Sequence, residues 1–78
     1  MIKNTRVNKV LFSRGISPSD LAARIERRLR RRCYPEQVSM VANGRRFTPW
    51  LQKAIARELG YKGPELFKDW WYERRAKR

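Results

Sequence analysis

The chain has no histidine and a single cysteine, Cys33, among its 78 residues. Those scarcities remove the usual general base of enzymes, the Cys/His zinc sites and any intrachain disulfide. Carboxylates are few as well: five Glu and two Asp, scattered so that no acid/base pair or metal-ligand cluster can be recognised. The expectation is therefore a protein that binds and is not an enzyme, with no metal and no cofactor. No stretch approaches the ~20 apolar residues of a membrane span. Met1-Ile2-Lys3-Asn4 opens on polar sequence without an apolar signal core, so a cytoplasmic protein without a membrane partner is expected. Strand-like alternation is missing too, which leaves helices as the elements to look for.

What the chain has in excess is positive charge. Twenty Lys and Arg stand against seven Asp and Glu, a net charge of +13. A small fold carries such self-repulsion when a polyanion relieves it, and nucleic acid is the polyanion this points to. Six of the arginines, Arg24, Arg27, Arg28, Arg30, Arg31 and Arg32, fall within nine positions. At this length one domain with a marginal core is expected over residues 1–78.

Helical spacing and end signals divide the chain. Val7, Val10 and Leu11 lie on one stripe of a helix over residues 5–14 that runs into Gly15. Ser17-Pro18-Ser19-Asp20 reads as a helix start, with a Ser cap, Pro at the first position and an acid three residues after the cap. Leu21, Ala22, Ile25 and Leu29 continue that stripe into the arginine run. Pro35 opens a third helix that buries Val38, Val41 and Ala42, exposes Glu36, Gln37, Met40 and Asn43, and ends at Asn43-Gly44. Thr48-Pro49 repeats the cap-plus-proline signal before Leu51, Ala54, Ile55, Glu58 and Leu59, which lead to Gly60. Pro64 opens a last helix with Leu66, Phe67, Trp70 and Trp71 at helical spacing, followed by the basic tail Glu73 to Arg78. The sum is an all-α fold, a small bundle of four to five helices.

In this order, "VNKVLFSRGISPSDLAARI" and then "VSMVANGRRFTPWLQKAIARELG" resemble the helix-turn-helix DNA-binding domains of the lambda repressor and Cro-like (XRE-like) family. The resemblance covers about residues 7–67. It rests on the Gly-Ile-Ser entry at 15–17, Leu21-Ala22, Val38-Ser39, Asn43-Gly44-Arg45-Arg46 and the Ile55 to Gly60 close. One part departs from it: the family joins its second and third helices by a tight glycine-containing turn, whereas Glu26 to Tyr34 contains no glycine and runs about six residues longer.

The resemblance implies that the third helix, about residues 35–43, enters the major groove of duplex DNA. Gln37 would pair with adenine, Glu36 would accept from cytosine, Met40 would touch a thymine methyl, and Ser39 and Asn43 complete the base-reading set. Asn43 has a second reading as a cap used wholly by the backbone. Phosphates would be held by Arg24, Arg27, Arg28, Arg30, Arg31 and Arg32 as a basic extension, with Arg45, Arg46 and the helix start at Thr48. The implied protein is a transcriptional regulator of a phage or other mobile element, acting in the bacterial cytoplasm or nucleoid, with a homodimer formed on DNA as a further expectation. Two other partners stay open from the residues alone: structured RNA gripped by the arginine run, and an acidic protein surface. Trp70, Trp71 and Tyr72 have three open readings: closing the core, forming a dimer contact, or stacking on bases. Cys33 reads as a small buried hydrophobe. Trp50 reads as either exposed near DNA or packed under Phe47.

Overall fold

Three of the five helices among the described residues begin on a proline, whose fixed φ suits a first turn where no N–H is needed. They are α2 (Pro18–Leu29), α3 (Pro35–Ala42) and α4 (Pro49–Leu59); α1 (Arg6–Arg14) precedes them and α5 (Gly63–Phe67) follows. The computed structural model describes residues 5–46 and 48–67, and among them there is no strand. The expectations for Phe47, Trp70, Trp71, Tyr72 and the basic tail lie outside the described residues.

The local end signals act as their chemistry requires. Thr5 Oγ1 accepts from the Asn8 N–H at 3.1 Å, and Gly15 closes α1 in the left-handed conformation. At α2 the capping box is complete: the Asp20 N–H donates to Ser17 Oγ at 3.1 Å, and the Ser17 N–H donates to Asp20 Oδ2 at 3.2 Å. The Ser17 backbone N–H first, and its hydroxyl second, stabilise the Asp20 carboxylate by hydrogen bonding and hold it below its ordinary value of 3.8. Thr48 sits at the N-cap of α4 but uses its backbone only, its carbonyl accepting from Leu51 and Gln52.

All five helices send side chains into one core. Val7 and Leu11 come from α1, Leu21 and Ile25 from α2, Val38 and Val41 from α3, Leu51, Ile55 and Leu59 from α4, and Leu66 and Phe67 from α5. α2 packs most extensively on α3, while α4 touches α2, α3 and α5, and α5 reaches back to α1. Cys33 is part of this core, 3% exposed, and burial raises its thiol above the ordinary value, so it acts as an apolar filler. Leu29 corrects the reading of the α2 stripe. It is 41% exposed, because the core ends one turn earlier at Ile25 and the last turn of α2 overhangs the side of α4.

The first part of the long segment between the second and third helices, Glu26 to Leu29, is helix. α2 continues through Leu29, and the true link is Arg30 to Tyr34. Arg30 takes the left-handed conformation (φ 52°, ψ 42°) that glycine usually supplies at a helix end. A left-handed non-glycine residue costs ~1–2 kcal/mol, and glycine carries its own entropic cost of ~0.5–1 kcal/mol. Arg30→Gly is therefore expected to stabilise the fold by up to ~1.5 kcal/mol, the difference between these terms. Thermal unfolding measures it; a lowered midpoint would mean that the Arg30 side chain itself holds the turn.

Candidate nucleic-acid interface

α3 is too short to stand alone, since isolated helices below about 12 residues are marginal in water. Its inner face, Val38, Val41 and Ala42, is fully buried at i, i+3 and i+4. Its outer face presents Glu36 and Met40 to solvent, Met40 being 40% exposed, with Gln37 and Ser39 half-buried at the margins.

Both ends of α3 are tied. At the N-terminal end the Tyr34 N–H donates to Gln37 Oε1 at 3.2 Å, so the amide proposed to read a base also orders the first turn. An sp² oxygen has two lone pairs and the amide nitrogen two hydrogens, so Gln37 keeps both an acceptor and a donor for a ligand. At the C-terminal end, Thr5 Oγ1 donates to the Ala42 carbonyl at 2.9 Å. Asn8 Nδ2 donates to Asn43 Oδ1 at 2.7 Å, and Asn43 Nδ2 donates to the Ser39 carbonyl at 2.8 Å. Asn43 thus ties α1 to α3 with both ends of its amide. Its backbone remains right-handed, and Gly44 (φ 75°) makes the left-handed exit. Thr5 and Asn8 were missed as α3 anchors by sequence reasoning; a polar Asn8 beside buried Val7 is the one signal that they held more than a cap.

The cations fall into two groups. Arg45 and Arg46 are exposed immediately after α3, where both their backbone N–H groups donate to the Met40 carbonyl. Arg30 and Arg32 are exposed just before it, with the Arg32 guanidinium 5.8 Å from the centre of the Tyr34 ring and its Nε 3.9 Å from Glu26. At 1.5 Å per residue α3 spans about 12 Å, so positive charge brackets a rod about as long as the major groove is wide. The other group does not join that rod. Arg24, Arg27 and Arg28 lie on α2 around Glu58 of α4, and Arg28 Nε donates to Glu58 Oε2 at 2.7 Å. Arg31 stacks on Trp50 of α4, 3.8 Å from the ring centre. Trp50 is half-buried against the core.

No group of three or more potential metal ligands occurs among the described residues, and no described helix is long and apolar enough to cross a membrane. Comparison with family models, curated proteins and solved structures returns no match to this chain.

Proposed function

We propose that the chain is a lambda repressor/Cro-like helix-turn-helix domain that binds duplex DNA at specific sequences and regulates transcription by occupying an operator. The observation that carries this reading is α3 itself: short, tied at both ends, presenting Glu36 and Met40 outward, and bracketed by arginines. In that role Glu36, Gln37 and Met40 meet base edges, with Ser39 at the margin, while Arg30, Arg32, Arg45 and Arg46 hold phosphates. Asn43 serves as the tie that sets the angle of α3, and Thr48 contributes the open N-terminus of α4.

Selection from a random duplex pool, followed by competition against RNA of equal length and charge, tests the class of ligand. A selected consensus that outcompetes RNA is expected; RNA winning that competition refutes the reading. Base reading and phosphate holding then separate by mutation. Gln37→Ala is expected to cost ~1–3 kcal/mol on the selected site and little on random duplex, as for one lost bidentate contact. Arg45→Gln with Arg46→Gln should weaken all duplexes alike. Because Gln37 also orders the first turn of α3, the melting curve of each variant accompanies the binding measurement. A Gln37→Ala protein that melts normally and binds the selected site unchanged would remove Gln37 from the reading set.

A further inference from the structure

The second group of cations surrounds a groove that no residue of α3 lines. Leu29, Trp50 and Ala54 form its apolar floor, and Arg28, Lys53 and Arg57 stand at its rim. Its volume is about 260 Å³, below the ~300–1,000 Å³ of pockets that enclose a small molecule. Alongside it, Arg24 and Arg27 extend the positive surface. The one carboxylate lining it, Glu58, has a side chain only 9% exposed and is already joined to Arg28.

Those features select among occupants. A second copy of the chain would bring two cationic rims together, each on a molecule of net charge +13, and like charges facing each other oppose association. A nucleic-acid backbone would satisfy the rim but offers no apolar side chains to cover Leu29. The Arg31 guanidinium occupies one face of the Trp50 ring, and a base stacked on the other would leave Leu29 uncovered. An amphipathic helix with acidic flanks meets both demands, since apolar anchors at i, i+3, i+4 and i+7 lie along a groove while its other faces meet the rim.

We propose that the groove between α2 and α4 is a docking site for an acidic amphipathic helix of a protein partner. Its apolar anchors cover Leu29, Trp50 and Ala54, and its Asp and Glu side chains pair with Arg24, Arg27 and Arg57. Docking at this groove is independent of DNA binding. In this chain the arginines of α2 serve a protein contact, and α3 is left open for a different ligand.

The test uses the full chain and a fluorescent synthetic helix of about 14 residues, ~20 Å long, with Leu at the four anchor positions and Glu elsewhere. A peptide of the same composition, permuted to destroy the apolar stripe, is expected to bind roughly tenfold more weakly or worse. Leu29→Asp and Arg57→Glu should each weaken the amphipathic peptide by about tenfold. Amide chemical-shift mapping on the unmodified chain, which depends on no variant folding, should centre the changes on Leu29 and Ala54. Equal binding of the permuted peptide would overturn the proposal, because charge alone would then explain attraction. So would shifts centred on α3 and Arg45, or complete displacement of the peptide by a duplex that covers the groove.

Discussion

Raising monovalent salt from about 50 to 200 mM is expected to weaken duplex binding by ~10²–10⁴-fold, taking a slope of about −0.9 per phosphate neutralised and roughly four to eight phosphates per protomer. The steepness reflects how the charge is distributed. Twenty basic residues give the chain its field, but Arg28 is held by Glu58 and Arg31 lies on Trp50, so not every cation faces a phosphate. Those bracketing α3, namely Arg30, Arg32, Arg45 and Arg46, set the lower bound. Counterions released from the duplex make the dependence logarithmic and steep, and anisotropy titrations at four or more salt concentrations read the slope directly. A flat profile would refute phosphate holding. A slope unchanged by replacing Arg45 and Arg46 with Gln would move the contact to another surface, the α2 arginines being the first to test.

Phe67→Ala should remove at least about a quarter of the domain's stability, and all of it if that stability lies at the low end of its expected range. Phe67 is the bulkiest fully buried side chain among the described residues and anchors α5 to the core. Truncating a buried Phe removes its transfer free energy and leaves a cavity, together ~3–5 kcal/mol. A chain of 78 residues has a total stability of only ~4–12 kcal/mol at ~0.05–0.15 kcal/mol per residue. The midpoint of thermal unfolding is accordingly expected to drop by roughly 12–40 °C. Phe12 supplies the internal control: it is 90% exposed on α1, and Phe12→Ala should change stability by no more than about 0.5 kcal/mol. Comparable shifts from the two substitutions would mean that α5 does not close the core.

The sequence alone settled those parts of the molecule that a few neighbouring residues decide. Ser17, Pro18 and Asp20 form a complete cap because all three lie within one turn, and Pro35 and Pro49 start helices because their φ is fixed before any packing occurs. The inward positions of α3 and α4 were legible for a related reason: a 3.6-residue period dictates which side chains share a face wherever the helix lies. Even so, periodicity misled at Leu29 and could not have found Gln52, a polar residue buried completely on α4. Burial depends on where the neighbouring helix ends, and no local pattern records that. The same limit hid the division of the arginine run. Glu58 lies 30 residues from Arg28, and Trp50 comes from a helix packed against α2, so which arginines are engaged and which face outward emerged only when α2 and α4 met. The tie from Asn8 to Asn43, 35 residues apart, belongs to the tertiary structure for this reason as well: side-chain type gives the hydrogen-bonding capacity, but packing alone brings donor and acceptor within reach.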